Sequence, residues 1–183
     1  MNAIEALCKE YERVLRLKWP SGLSGEERVW MAIYEPSNER RLRARLTQFE
    51  LSTKEAGRRW QPVNIDQMFP EWMASNRHRE ELFAQPSAMP SALGAFRRDL
   101  AARVKAELEK ADDETVVALL GAGSLFGLWS VSELVALVAD SLKGILLVFF
   151  PGRHEGNSYR LMDARTSWNY LALAIEAKVG ESA

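Results

Sequence analysis

Two unbroken apolar runs in the second half of the chain carry the clearest structural signal. They span residues 115–120 and 145–150, and each is followed by a loop that contains glycine. Apolar runs of this length without polar alternation are typical of strands covered on both faces, as in a parallel sheet flanked by helices. Because ligands and partners of such sheets usually bind at the carboxyl ends of the strands, the two loops are predicted to share a functional edge.

The rest of the pattern predicts an alternation of helices and strands. Two further strands are expected at 28–34 and 60–66, the latter early in a strand or at the sheet edge because of Pro62, and an edge strand at 158–162. Apolar residues at helical spacing predict helices that end near 19–20 and 57, a long helix over 93–108, helices over 130–142 and 167–179, and short helices around 72 and over 80–83. Such an alternation implies right-handed βαβ crossovers. The predicted fold is therefore a single α/β domain over residues 1–183, a three-layer α/β/α sandwich with a mostly parallel sheet of four to five strands.

Composition narrows the function classes. The 183 residues are 47% hydrophobic and 27% charged, as in ordinary globular proteins, and the net charge of −1 does not favour bulk nucleic-acid binding. No apolar stretch approaches the roughly 20 residues that span a bilayer. The amphipathic start of the chain is not typical of an export signal. A single cysteine excludes an internal disulfide and is typical of a reducing compartment, so we expect a cytoplasmic protein.

No complete catalytic motif is present. Gly121, Gly123 and Gly127 follow a predicted strand, where glycine lets backbone N–H groups approach a phosphate, but the turn lacks the lysine of a nucleoside-triphosphatase loop. The two histidines, His78 and His154, and one cysteine show no metal-ligand spacing, so no metal or cofactor is predicted. His154 stands between an arginine and a glutamate at the end of a buried strand, where an acid–base role is chemically reasonable.

Several segments, taken in order, resemble one family. The segment 149–161, FFPGRHEGNSYRL, is similar to the F-Y-P-G-x-Y-D-G-Q-S-L-R-L-F segment of BrxB-like proteins, a component of bacterial BREX bacteriophage-exclusion systems. The segment 120–126, LGAGSLF, is similar to that family's L-x-G-V-G-A-x-Y turn, and residues 168–170 to its D-N-Y-Y. Upstream, Tyr34-Glu-Pro with Glu39 and Arg43 resembles its Y-x-P…E-x-x-x-R opening, and 64–66 resembles its second strand. Arg153 and His154 replace an acid and a tyrosine, so the resemblance is to a divergent member.

The resemblance implies a non-catalytic component of an antiphage defence complex. It implies partners such as a PglZ-type phosphatase-like protein, a DNA methyltransferase and a large ATPase, and contact with DNA only through that complex. We accordingly expect an interaction module that holds a partner through the strand-end loops and the segment 67–92. The candidate partner- or ligand-binding residues are Glu39, Arg43, Trp72, Gly121, Gly123, Trp129, Pro151, Gly152, Arg153, His154 and Glu155.

Two alternatives remain open from the residues alone. One is a degenerate nucleotide-binding domain that uses Gly121, Gly123 and Arg153 as a phosphate site. The other is a hydrolase or nuclease-like enzyme that uses His154, Glu155 and Asp66. Each alternative requires its three residues to lie close together in the folded protein.

Overall fold

A computed structural model describes residues 2–17, 19, 22–164, 168–169 and 172–177. Its helices are α1 (Ala3–Leu15), α2 (Glu39–Ala44), α3 (Leu46–Glu55), α4 (Met68–Ser75), α5 (Arg79–Ala84), α6 (Met89–Glu109) and α7 (Val131–Val138). Its strands are β1 (Val29–Tyr34), β2 (Arg59–Asn64), β3 (Thr115–Leu120), β4 (Ile145–Glu155), β5 (Ser158–Leu161), β6 (Trp168–Asn169) and β7 (Leu173–Glu176).

A parallel sheet forms the centre of the molecule. The strand order is β2-β3-β4-β1-β7, and every neighbouring pair in this order is parallel. The two apolar runs become β3 and the first part of β4, which lie side by side with Val116 opposite Ile145. All six residues of β1 and of β3 are buried, as expected for strands covered on both faces. The predicted α/β fold class is confirmed.

Helices cover both faces of this sheet. On one face, the buried sides of α1, α2 and α3 pack with Val116, Ala118 and Leu120. On the other face, α6 and α7 pack with Val117 and Leu119. Because side chains of a strand point alternately to opposite faces, one apolar run supplies the core on both sides.

The crossovers between β1 and β4 all have the same hand. The chain runs from β1 to the far edge strand β2 through α2 and α3 on one face, and it returns through β3 to β4 by way of α6 and α7 on the other face. The chain changes face when it changes direction across the sheet, so the outward and return crossovers have the same hand. A single hand is what the preference for right-handed βαβ units requires. This path brings the carboxyl ends of β1, β2 and β3 and the middle of β4 to one edge.

The first helix shows how local sequence sets an element. Asn2 is its N-cap: the Asn2 side chain accepts a hydrogen bond of 2.9 Å from the Glu5 N–H, and the Glu5 carboxylate accepts one of 3.0 Å from the Asn2 N–H. This capping box satisfies two backbone donors that a helix start otherwise leaves unpaired. The buried stripe of the helix is Ile4, Leu7, Cys8, Tyr11, Val14 and Leu15.

The predicted helix over 167–179 is wrong where it can be compared. Residues 168–169 form the short strand β6, and Leu173–Glu176 form β7, which pairs with β1 in parallel. The remaining positions of that predicted helix lie outside the described residues. Ile175 is fully buried while Leu173 is 42% exposed, so β7 shows the alternation of a half-buried strand. In this segment, pairing with the open edge of β1 outweighs the helix propensity of alanine, leucine and glutamate.

Two further boundaries differ from the sequence-based prediction. The helix expected to end at residue 57 is two helices, because Arg45 leaves the helical conformation at φ −115° and makes an ion pair of 2.5 Å with Glu5. The loop expected to begin at Pro151 is instead a hairpin, in which β4 continues to Glu155 and pairs with β5. Pro151 lies opposite Tyr34, the last residue of β1, where the parallel ladder ends and a missing N–H costs little.

Candidate functional site

A crevice of about 660 Å³ opens at the carboxyl edge of the parallel sheet. We call it the carboxyl-edge crevice. It lies where the connections after β1 and β3, the strands on either side of β4, leave for opposite faces of the sheet. Open α/β sheets usually bind their ligands at such a position. Its lining residues come from the short turn and helix α2 that follow β1, from the loops after β2 and β3, from β4, and from the turn after β5; they are Pro36, Glu39, Arg40, Arg43, Asp66, Gly121, Gly123, Ser124, Pro151 and Met162.

A charged network crosses one wall of the crevice. The Arg43 guanidinium donates a hydrogen bond of 2.7 Å to Glu39 and lies 2.7 Å from the Asp66 carboxylate. The Tyr34 hydroxyl donates to the other oxygen of Glu39. Arg43 thus ties the loop after β2 to the helix after β1, and the Glu39–Arg43 pair has the i, i+4 spacing that helical geometry favours.

The same network explains the titration behaviour of two of its members. Burial, together with the hydrogen bond to Glu39, raises the pKa of Tyr34 above its ordinary value, so the phenol stays protonated. Burial acts to lower the pKa of Arg43, but the hydrogen bond to Glu39 and the charge of Asp66 outweigh it and raise that pKa. Tyr34 is therefore a fixed donor and Arg43 a fixed cation.

The glycine turn also lines the crevice, where Gly121 packs against Asp66 of the charged network. Gly121 has φ +87°, and a Cβ at this position would lie 2.1 Å from the Asp66 carboxylate oxygen and 2.9 Å from the Asp66 backbone nitrogen. A Cβ at Gly123 would lie 3.2 Å from the Pro151 ring. The Ser124 hydroxyl donates a hydrogen bond of 2.7 Å to the Gly121 carbonyl and closes the turn. Glycine is needed here because other parts of the protein approach the backbone.

This arrangement does not favour a phosphate site at the turn. The charged group closest to Gly121 is the Asp66 carboxylate, which would repel a phosphate. The turn continues into a four-residue 3-10 helix, and α7 begins only at Val131, so no long helix starts at the glycines. Arg153, the third residue of the nucleotide-binding alternative, lines two other recesses and not this crevice.

His154 is held by its neighbours on the β4–β5 hairpin. Its ring stacks on Tyr159 with centroids 4.5 Å apart, and its Nδ1 lies 3.4 Å from the Glu176 carboxylate. The side chain is only 18% exposed. Asp66 lines the carboxyl-edge crevice whereas His154 and Glu155 line a separate recess, so the structure does not bring the three residues of the hydrolase alternative together.

The predicted site residues therefore fall into three groups. Glu39, Arg43, Gly121, Gly123 and Pro151 meet in the carboxyl-edge crevice. Gly152, Arg153, His154 and Glu155 lie on the hairpin beside it. The third group, the two tryptophans, packs inward: Trp129 is 8% exposed within the core, and Trp72 contacts Phe69 and Phe96. Trp129 is thus buried and Trp72 half-buried, although the sequence analysis names both as candidate partner- or ligand-binding residues.

Sequence reasoning missed some contributors to this edge. Arg40 and Met162 line the crevice, and Arg160 lies on the hairpin, yet none of the three is among the candidate site residues of the sequence analysis. Met162 has φ +51°, which is uncommon for a residue other than glycine, and its N–H donates a hydrogen bond of 2.8 Å to the Pro151 carbonyl. The signal for Met162 is tertiary and could not be found in the sequence.

Comparisons with known proteins do not extend this description. No protein-family model matches the chain. No curated protein and no solved structure matches it. Within the described part of the chain, no helix is both long and apolar enough to cross a membrane, and no three acidic, histidine or cysteine side chains are grouped so as to hold a metal ion.

Proposed function

We propose that this protein is a non-catalytic component of a BREX-type antiphage defence complex. In this role it docks a partner, such as a PglZ-type phosphatase-like protein, at the carboxyl-edge crevice. The observation that supports the proposal most strongly is that separate segments of the chain meet at one place. The segments that resemble BrxB-like proteins are far apart in the chain, yet residues 34–43, 64–66, 120–124 and 151 lie around one crevice.

The chemistry of the crevice suits recognition better than catalysis. Arg43 is already shared between two carboxylates, and the Tyr34 hydroxyl is committed to Glu39, so these groups hold loops in place. A general acid or base must instead be free to exchange a proton with a substrate. The lining also includes no histidine or cysteine.

Arg40 is the crevice residue best suited to contact a partner. It is exposed, it lines the crevice, and it has no hydrogen-bond or ion-pair partner among the described residues. Arg41, the next residue of the same helix, is also exposed but does not line the crevice. The pair provides a matched comparison, because Arg40→Glu and Arg41→Glu make the same change of charge on the same helix.

The test is co-purification from cells that express the tagged protein with the genes that neighbour its own. We expect wild type and Arg41→Glu to capture a stable partner, and Arg40→Glu to weaken capture by at least about tenfold, because reversing a charge in an interface introduces repulsion. A wild-type protein that purifies alone in every preparation would refute the docking role. Equal capture by both variants would refute the crevice as the contact surface.

A further inference from the structure

The β4–β5 hairpin places two arginines directly opposite each other. Arg153 of β4 and Arg160 of β5 are partners in its antiparallel register. Residues opposite each other in such a pair have Cβ atoms about 4.5–5.5 Å apart on the same face, and like charges there are destabilising. A pairing that is electrostatically unfavourable for the fold indicates a role in binding.

The two guanidinium groups lie on the solvent side of the hairpin. His154 and Tyr159, the next pair along, stack on each other on the inner side, where Tyr159 is 1% exposed. Arg153 is 68% exposed, and Arg160 is also exposed. Together with Ser158 and Met162 they line a recess of about 280 Å³.

The protein itself does little to neutralise this pair. The carboxylate that approaches Arg153 belongs to Glu35, at 3.9 Å, which is too long for a hydrogen bond. Arg160 has no hydrogen-bond or ion-pair partner among the described side chains. Glu155 and Asp163 line the same recess, but neither is within ion-pair distance of Arg153 or Arg160. The two cations are therefore available to an external anion.

We propose that Arg153 and Arg160 together bind a single carboxylate side chain of a protein partner. A carboxylate accepts charge-assisted hydrogen bonds from two guanidinium groups at once, and it removes the repulsion between them. Glu155 and Asp163 would repel a continuous row of phosphates, and the net charge of −1 gives no long-range attraction to nucleic acid. The inference rests on the proposed function, because it assumes that a protein partner exists.

The binding test uses the isolated full chain and NMR signals of the arginine Nε–H groups. The probe is a blocked peptide that contains one glutamate, and the matched peptide contains glutamine in its place at equal ionic strength. We expect the glutamate peptide alone to shift the signals of Arg153 and Arg160. Arg160→Gln should weaken the binding about fivefold to tenfold, whereas Arg98→Gln, at an exposed helical position elsewhere, should leave it unchanged.

Several outcomes would overturn the proposal. They are equal shifts with both peptides, unchanged binding in Arg160→Gln, and binding of a phosphopeptide or a DNA duplex without binding of the glutamate peptide. Thermal unfolding separates binding from a structural role: Arg160→Gln should leave Tm unchanged or raise it by about 1–3 °C, since it removes a like-charge pair. A lowered Tm would assign the arginines to the fold. Because the peptide experiment needs no partner protein, a negative result would refute carboxylate binding by this pair. It would leave the co-purification test with Arg40→Glu and Arg41→Glu unaffected.

Discussion

Replacing Gly121 by alanine tests the central packing contact of the carboxyl-edge crevice. Gly121 has φ +87°, and the added Cβ would lie 2.1 Å from one oxygen of Asp66 and 2.9 Å from the backbone nitrogen of that residue. The carboxylate would have to move, and its contact with Arg43 would be lost. The backbone contact can be relieved only by moving the loop itself.

Gly127 provides a matched control in the loop that follows. It has φ +75°, so alanine there suffers a similar conformational strain, but no atom lies within 4 Å of the added Cβ. That strain is worth about 1–2 kcal/mol. At Gly121, the overpacked backbone contact adds about 1–2 kcal/mol. Loss of the partly exposed ion pair between Arg43 and Asp66 adds up to about 1 kcal/mol.

We therefore expect Gly121→Ala to lower the free energy of unfolding by about 2–5 kcal/mol and Gly127→Ala by about 1–2 kcal/mol. Urea denaturation followed by circular dichroism measures both, provided that the m-values agree with that of wild type. A second test adds Asp66→Ala to Gly121→Ala. This removes the side-chain clash, so the double variant should be more stable than the sum of the single effects by about 1 kcal/mol.

Equal losses in the two glycine variants, within about 0.5 kcal/mol, would refute the reasoning. Such a result would mean that Gly121 is needed only for its backbone conformation. Strict additivity with Asp66→Ala would lead to the same conclusion, because two residues in contact should show coupling.

Two further predictions concern the helical face that carries α1 and α3. The Tyr11 hydroxyl lies 2.6 Å from the Thr53 hydroxyl, which donates to the Phe49 carbonyl, and both side chains are fully buried. Tyr11→Phe and Thr53→Val should each lower the free energy of unfolding by about 1–3 kcal/mol, as measured by urea denaturation. The double variant should lose less than the sum of the two single losses. Strictly additive losses would contradict the hydrogen bond between Tyr11 and Thr53. Burial raises the pKa of the Cys8 thiol to about 11, so little thiolate is present in the folded state near pH 8. Native protein should therefore react with iodoacetamide at least about tenfold more slowly than urea-unfolded protein. Equal rates would show that the thiol is accessible.

The raised pKa of Cys8 also predicts how the stability of the protein depends on pH. The pKa of Cys8 is raised on folding, so its burial stabilises the protein below the ordinary thiol pKa. The stabilisation is lost as pH rises from about 8.5 towards 11. Cys8→Ser would make a poor control because it places a hydroxyl in the core, whereas Cys8→Ala should flatten the stability profile over this range.

The amino-acid sequence alone determined the central sheet. The runs at 115–120 and 145–150 are too long and too apolar to be exposed on either face, so burial between two helical layers follows from local composition. The capping box at Asn2 and the hydrogen bond from Ser124 to the Gly121 carbonyl are likewise local features, because each joins residues only three positions apart. Five of the eleven candidate site residues meet in the crevice: four of them follow the end of a parallel strand, and Pro151 lies in β4 opposite the last residue of β1.

Only the tertiary structure decided the strand order, the last strand and the composition of the site. Leu173–Glu176 has residues that favour a helix, yet it pairs with β1, whose open edge supplies hydrogen bonds from a segment more than 130 positions earlier. The sequence could not show that Trp129 is buried, because its burial depends on packing with α6 and α7. The contact between Asp66 and Gly121, and the opposition of Arg153 and Arg160, depend on loop closure and strand register. These are relations between distant residues, and hydrophobic periodicity carries no information about them.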